Sequence, residues 1–458
     1  MTIITDTIVA IATASGPAGV SVIRISGPDA LSIGDRLVAA SNTAKYPSQQ
    51  RAGTFFYAGI QNPKTTLRID DGLFLIFRAP HSFTGEDVLE VQGHGGRIPS
   101  EQILQAALDA GARLADPGEF SKRAFLNGRL DLTQAEAIMD FIQSKSVRMA
   151  HIARAQLDGT LGSQVRQLYM AITELCAEIE YLLDFDESEL QADFLHPLHP
   201  RLVTVYSEIK GLITSWNKNG HVLREGASVV LSGKPNAGKS SLLNALLGHA
   251  RAIVNEQPGT TRDSIEEGCL IEGIPIRLVD TAGIRPTSDC IEQEGIARSR
   301  QLISQADINL RLIECTDQDA YRALNHQTLQ INDIVVITKG DLSSKTDWDY
   351  SNKHPVIVTS VKTGMGLDTL KQKIVDVLGC THMEATHTTI VSDRHVAEFT
   401  QTEQQLASAL TLFEQKRVDC VLLAHHLRTG AESLGRITGR IYSDDLLDAI
   451  FSRFCVGK

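Results

Sequence analysis

The spacing of apolar residues changes three times along the chain. Up to about residue 118 they come in short runs and alternations. The runs 7–12 (Thr-Ile-Val-Ala-Ile-Ala) and 20–25 (Val-Ser-Val-Ile-Arg-Ile) predict strands around a Ser15-Gly16-Pro17 turn. Residues 72–77 and 88–91 predict two more. Ile103, Leu104, Ala107 and Leu108 have helical spacing behind Ser100, a residue with the chemistry of an N-cap. From about 119 the pattern turns helical. Thr133-Gln134-Ala135-Glu136 reads as a capping box ahead of Ile138, Met139 and Ile142. Leu157, Leu161, Val165, Leu168, Ile172, Leu175, Ile179 and Leu182 share one face, which predicts a long helix over about 146–183. The acidic stretch 184–189 that follows reads as a solvated helix exit rather than a metal cluster. Between about 222 and 380 strands alternate with helices, with candidates at 229–231, 276–279, 308–313, 334–337 and 356–358. That is the rhythm of a three-layer α/β domain with a largely parallel sheet. The last ~75 residues are helical again, so the α/β unit reads as inserted between two pieces of one helical domain.

Composition narrows this picture without changing it. A length of 458 residues suits about three domains, and 42% hydrophobic with 22% charged residues is ordinary for globular cores. No stretch reaches the ~20 apolar residues of a membrane span. The start, Met1-Thr2-Ile3-Ile4-Thr5-Asp6, lacks the basic and apolar regions of a secretory signal. The seven cysteines are scattered with no C-x-x-C pair, which fits a reducing cytoplasm rather than a disulfide framework or a zinc site. A net charge of −11 argues against a surface that clings to nucleic acid throughout, though not against a local basic patch.

The candidate chemistry begins at Gly233-Lys234-Pro235-Asn236-Ala237-Gly238-Lys239-Ser240, which has the P-loop spacing G-x-x-x-x-G-K-S. An apolar run precedes it and a helical pattern follows, the context that the motif requires. Its backbone N–H groups and the helix N-terminus suit a phosphate chain. Lys239 suits the β- and γ-phosphates, and Ser240 suits Mg²⁺. Asp280-Thr281-Ala282-Gly283 at a strand end supplies a carboxylate for the Mg²⁺ shell and a glycine N–H that senses a γ-phosphate. Gly259-Thr260-Thr261-Arg262-Asp263 precedes it in a loop. Thr338-Lys339-Gly340-Asp341 ends a further strand. Asp341 there can accept two hydrogen bonds from a guanine edge, which adenine cannot offer, and the Lys339 stem can cover the ring. Thr359-Ser360-Val361-Lys362 follows at the next strand end, where N–H groups can meet guanine O6. Thr338 stands where the guanine motif commonly has asparagine. Four motifs in this order predict a GTPase. In Ras-like proteins a glutamine after D-x-x-G positions the attacking water. Here that place holds Ile284. Either hydrolysis is slow or another group does the work, and Asn236 is a candidate ligand for a monovalent cation that could supply the positive charge an arginine finger brings elsewhere. Glu292 reads from the residues alone as a solvated helix charge, with positioning of water as the alternative.

Over its whole length the chain resembles the MnmE (TrmE) family of tRNA-modification GTPases. The most specific carriers lie outside the nucleotide motifs. They are Ser82-Phe83-Thr84-Gly85-Glu86-Asp87 with His94-Gly95-Gly96, then the run 117–128 (Pro-Gly-Glu-Phe-Ser-Lys-Arg-Ala-Phe-Leu-Asn-Gly) leading to Asp131-Leu132 and Gln134-Ala135-Glu136-Ala137, and the tail Phe454-Cys455-Val456-Gly457-Lys458. The resemblance implies a multidomain α/β chain. Residues 1–118 would form an α+β N-terminal domain for tetrahydrofolate binding and dimerisation. Residues 119–221 and 381–458 would form a discontinuous helical domain, and 222–380 an inserted P-loop, Ras-like G domain. It implies a K⁺-activated GTPase acting with a flavin-dependent partner, MnmG (GidA), in a heterotetramer. The pair would install aminomethyl or carboxymethylaminomethyl groups at C5 of the tRNA wobble uridine. The one-carbon donor would be 5-formyl- or 5,10-methylene-tetrahydrofolate, with the flavin on the partner. A homodimer, tRNA as substrate, no membrane and a cytoplasmic location belong to the same expectation.

The resemblance also implies site residues. GTP contacts fall on Asn236, Ala237, Gly238, Lys239, Ser240 and Ser241, and on the loop Asn255, Glu256, Gln257, Pro258, Gly259, Thr260 and Thr261. Further contacts are Asp280, Thr281, Ala282 and Gly283, with Lys339, Asp341 and Ser360 at the base. Mg²⁺ falls to Ser240 and Thr261, and K⁺ to Asn236, Asn255, Gln257 and Thr260. Glu292 becomes the catalytic glutamate, with Asn236 and Arg285 beside it in the catalytic set. Folate contacts fall on Arg24, Glu90, Arg129 and Lys458, and Cys455 is a redox or catalytic candidate. Arg129 replaces a lysine of the family pattern, and the loop 16–21 lacks two expected glycines. Two rival functions are a ribosome-assembly GTPase, which calls for a basic C-terminal RNA-binding module, and a folate-dependent one-carbon transferase with a regulatory G domain.

Overall fold

The computed structural model describes residues 6–14, 16–40, 45–144, 146–183, 195–248, 266–280, 302–323, 329–330, 332–342, 354–379, 392–413, 415 and 418–457. The chain divides into two compact units. One comprises Met1–Met139, Gln156–Tyr169 and Leu434–Lys458, and the other Asp140–Ala155 and Met170–Ser433.

The first unit is built on a six-stranded sheet. Its strands are β1 (Ile8–Ile11), β2 (Val20–Ser26), β3 (Thr54–Gln61), β4 (Arg68–Phe77), β5 (Val88–His94) and β6 (Arg113–Leu114), in the order β3-β4-β5-β2-β1-β6. All pairs are antiparallel except β1 with β6. Period-2 alternation sends Val9, Ile23, Ile25, Leu89 and Val91 to one face. There they pack with residues of the helices Ala30–Leu37 and Arg97–Asp109. On the other face Ile8 and Ala10 meet Phe83, Ala115 and Phe120. The predicted strands appear within a few residues of their expected limits. β3 is an addition. It is an edge strand whose Phe55 and Tyr57 stay exposed, so its apolar pattern is not that of a buried face.

Local chemistry corrects three helical expectations. Ser100 is not a cap: the helix starts at Arg97, and the Ser100 hydroxyl donates to Gly96 O at 2.7 Å from inside the first turn. The capping box of helix Leu132–Ile142 lies two residues earlier than read. The Gln134 N–H donates to Asp131 Oδ1 and the Asp131 N–H to Gln134 Oε1, both at 3.0 Å, while Thr133 is buried and donates to Asp131. Asp131 is the better cap because its carboxylate accepts from both the Gln134 N–H and the Thr133 hydroxyl. The long helix is two, Val147–Leu157 and Thr160–Leu183, parted at Asp158-Gly159. The apolar stripe continues across that break, which is why spacing alone hid it.

The second unit carries the sheet β12-β11-β10-β7-β9-β8, with β7 (Ala227–Gly233), β8 (Glu266–Ile271), β9 (Ile274–Asp280), β10 (Ile308–Glu314), β11 (Asp333–Thr338) and β12 (Val356–Val358). It is parallel except for the edge strand β8, which runs antiparallel to β9. The strands read as nearly continuous buried runs, as a sheet covered on both faces requires. β8 was not anticipated: Glu266-Glu267-Gly268 at its start carries no strand signal. The acidic stretch 184–189 lies outside the described residues.

Candidate functional site

β7 sits between β9 and β10, so the chain departs to both sides of it. Ligands of such sheets bind at the carboxyl ends of the strands where the order reverses. All the described nucleotide motifs lie there: the loop 233–238 after β7, Asp280 at the end of β9, Thr338 to Asp341 at the end of β11, and Thr359-Ser360 after β12.

The P-loop is shaped by its backbone. Gly233 has φ +151°, and a Cβ there would fall 2.5 Å from Leu312 O on β10, so only glycine lets the loop leave the sheet at this point. Asn236 holds a left-handed φ of +66° and is exposed. Helix Lys239–Gly248 begins directly after the loop. The buried Lys239 ammonium donates to Gly233 O (2.8 Å) and Lys234 O (2.9 Å). Burial lowers its pKa, and the Asp280 carboxylate opposes that shift. The Ser240 hydroxyl donates to Asp280 Oδ2 at 3.3 Å. Two hard oxygen donors this close suit Mg²⁺, which favours oxygen ligands and keeps several waters.

The base end is pre-ordered as well. Ser360 Oγ donates to Asp341 Oδ1 at 2.7 Å, which with an own-residue N–H contact and Lys362 holds that carboxyl below its usual range. The Ser360 N–H donates to Met365 O (2.9 Å), so only the hydroxyl of Ser360 is directed at Asp341. Thr338, in the place that commonly holds asparagine, reaches the phosphate loop. Its buried hydroxyl donates to Ala237 O in the P-loop at 2.8 Å and lies 3.3 Å from Ile313 O. The base motif and the phosphate loop are thereby tied. Sequence reasoning missed this tie, although a residue with a hydroxyl in a position that commonly holds asparagine was its signal.

In the first unit Arg24 and Glu90 face each other across β2 and β5. Read from residues alone they would be solvated strand charges. They are instead a sheltered pair: Arg24 Nε donates to Glu90 Oε1 at 2.9 Å, with side chains 19% and 16% exposed. The guanidinium also stands over the rings of Phe83 (5.6 Å) and Phe120 (5.8 Å). Arg129 is exposed, and its stem crosses Gly85 in the same 82–87 loop. The tail closes on this region. Phe454 is buried, Cys455 is exposed, and Gly457 (φ +97°) lies so close to Ile11 O on β1 that a Cβ would be 2.4 Å away.

The two family-like motifs 82–87 and 117–128 form one structure. The buried Arg123 bonds Glu86, Glu119 and Asp6, and Asn127 Nδ2 donates to Thr84 O at 2.8 Å. Glu86 also accepts from Ser26 Oγ at 2.6 Å. This network was not foreseen, because nothing in the spacing pairs residues so far apart in sequence.

Several expected site residues lie outside the described residues: Glu292 and Arg285, the loop Asn255, Glu256, Gln257, Pro258, Gly259, Thr260 and Thr261, then Thr281, Ala282 and Gly283, and Lys458. Among the described residues no cluster of His, Cys, Asp or Glu suits a metal held by three such side chains, and no helix is long and apolar enough to cross a membrane.

A phosphate loop after a central parallel strand, a Ser–Asp oxygen pair beside it, and an ordered Asp341 at the base end define a P-loop nucleotide-binding domain of the GTPase class. Comparison with known proteins places the whole chain. Residues 7–129 match the family model "GTP-binding protein TrmE N-terminus", and residues 132–455 match "MnmE helical domain". The chain is 40% identical to tRNA modification GTPase MnmE of Ligilactobacillus salivarius, covering 99% of this chain and 98% of that protein. It is 41% identical to the protein of that name from Desulforamulus reducens (99% of each chain) and 39% to that from Bacillus subtilis (99% and 100%). The chain belongs to the MnmE (TrmE) family. It is also similar to the solved G domain of the T. maritima FeoB iron transporter, 33% identical over 33% of this chain and 98% of that one, with a TM-score of 0.26.

Proposed function

We propose that this protein is a K⁺-activated GTPase of tRNA wobble-uridine modification. It would work in the cytoplasm as a homodimer through residues 1–118, with an MnmG-type flavoprotein. A tetrahydrofolate one-carbon unit would supply the carbon for an aminomethyl or carboxymethylaminomethyl group at C5. Residues 222–380 are its G domain, set between helical parts 119–221 and 381–458. The observation that carries this reading is full-length likeness to proteins named tRNA modification GTPase MnmE.

The chain's own residues have separate tasks in GTP hydrolysis, which gives GDP and phosphate. Lys239 leaves the loop carbonyls and takes β- and γ-phosphate oxygens. Asp341, oriented by Ser360, accepts from the guanine edge, and the Lys339 stem covers the ring. Ser240, Asp280 and Thr261 would hold Mg²⁺, and Asn236 with Asn255, Gln257 and Thr260 would hold K⁺. These cations neutralise charge that develops on the phosphates. Glu292 positions the attacking water in place of the absent glutamine, with Arg285 beside it. Arg24, Glu90, Arg129 and Lys458 bind the folate. The sheltered ion pair and the aromatic rings around Arg24 support that assignment. Cys455, exposed beside the closing tail, is a redox or catalytic group of the same site.

Exchanging K⁺ for Na⁺ at constant ionic strength tests the cation's role. Hydrolysis at saturating GTP is expected to slow by about 100-fold or more, the scale of losing one preorganised electrostatic group at the reacting centre. Equal rates in the two salts would remove K⁺ from the reading.

A further inference from the structure

The exit of β10 carries two acidic side chains that none of the nucleotide motifs includes. Each holds a lysine from a different motif. Asp317 Oδ2 lies 2.7 Å from Lys234 Nζ of the P-loop, and Glu314 Oε1 lies 3.0 Å from Lys339 Nζ of the base motif. The two pairs differ in shelter. The Lys234 side chain is 66% exposed, whereas Lys339 and Glu314 are 38% and 28% exposed. Lys339 is held at its backbone too. Its φ is +56°, and its carbonyl accepts from the Cys315 thiol (3.0 Å) and the Leu342 N–H (2.9 Å). Glu314 stands opposite Thr338 in the β10–β11 register, so its reach to Lys339 is set by the sheet and not by a loop.

A lysine that covers a ring loses rotamer freedom on binding. One that is already held has less to lose, and the ligand stays longer. We propose that Glu314 is a positioning residue for nucleotide binding: by holding the Lys339 ammonium, it keeps the aliphatic stem over the place of the guanine ring and slows nucleotide release. The inference rests on the reading of Lys339 and Asp341 as the base site. Glu314 acts on the ring face, whereas Asp341 acts on the ring edge. The two roles therefore separate by nucleotide. GDP and IDP share the ring face, and IDP lacks the N2 amino group that Asp341 reads.

The test is the release rate of fluorescent GDP and IDP from the full-length protein. Glu314→Gln is expected to speed release of both by about three- to fivefold, the upper range for one partly exposed ion pair, with the GDP-to-IDP ratio unchanged. In a Lys339→Met background Glu314→Gln should add nothing, because the group it acts through is gone. Wild-type release rates, a changed GDP-to-IDP ratio, or a full effect in the Lys339→Met background would each overturn the inference. Asp341→Asn serves as the separate arm. If it fails to shift preference toward xanthine nucleotides, the base-site reading fails. If it does shift preference while Glu314→Gln leaves release unchanged, only the role of Glu314 fails.

Discussion

Lys239→Ala is expected to abolish GTP hydrolysis and to weaken GTP binding by at least about 100-fold, because it removes a preorganised, charge-assisted donor from the phosphate loop. The structure gives the reason for so large an effect. The ammonium is buried and already held at the loop by two carbonyls, 2.8 and 2.9 Å away. It need only turn to reach phosphate oxygens. Burial lowers its pKa, and the Asp280 carboxylate opposes that shift. Equilibrium titration with a fluorescent GTP analogue measures the loss. A variant within threefold of wild type would mean that the phosphates are held elsewhere.

The second large effect is on stability. Arg123→Met should destabilise the first unit by about 3 kcal/mol, near the lower end for breaking a buried ion pair, since Asp6 is partly solvated. Arg123 is buried among Asp6, Glu86 and Glu119, and methionine fills its volume without its charge. The sign of the pH dependence follows. Burial raises the Glu119 pKa, but hydrogen bonds from Arg113, the Asp116 N–H and Arg123 outweigh it, and the net value is lowered. Asp6 is lowered in the same way, with burial opposed by Arg113 and Arg123. A carboxylate with a depressed folded pKa stabilises the fold above its unfolded pKa, about 4, and loses that contribution as pH falls through the folded value. The gap between wild type and Arg123→Met should therefore be widest at neutral pH and narrow below about pH 4. Hydrogen exchange at the β1, β2 and β5 amides reads it. A gap under 1 kcal/mol at pH 7, or one that widens in acid, would contradict the account.

How much of this was legible in the sequence depends on how local each feature is. The strand–loop–helix at 227–248 was, because a strand, a glycine turn and a helix start lie within one short segment. The strands of the G-domain sheet were, because strands buried on both faces are continuous apolar runs. Helix boundaries were less so. Gln134 belongs to a capping box, but its partner is Asp131 and not a residue that starts the motif as read. The edge strands β3 and β8 escaped because an edge need not be apolar on both faces. The functional ties escaped for a different reason. Thr338 to Ala237, Arg123 to Glu86 and Glu314 to Lys339 join residues 25 or more apart in sequence, and only the tertiary fold brings them together. Arg24 and Glu90 show the same limit. Strand alternation alone gives them an outward face, and packing by Phe83 and Phe120 turns that face into a sheltered one.

Of the two rival functions, a ribosome-assembly GTPase would need a basic C-terminal module. The relatives that this chain matches over 99% of its length are named tRNA modification GTPases instead. A one-carbon transferase with a merely regulatory G domain differs from the proposed function in one respect: tRNA modification would persist without GTP hydrolysis. Mass analysis of wobble uridines separates the two. It would use tRNA from cells lacking this protein, complemented either with the wild-type chain or with Lys239→Ala. The account predicts C5-substituted uridine with the wild type and unsubstituted uridine with both the deletion and Lys239→Ala. Full substitution in the deletion strain, or in cells carrying only Lys239→Ala, would contradict it.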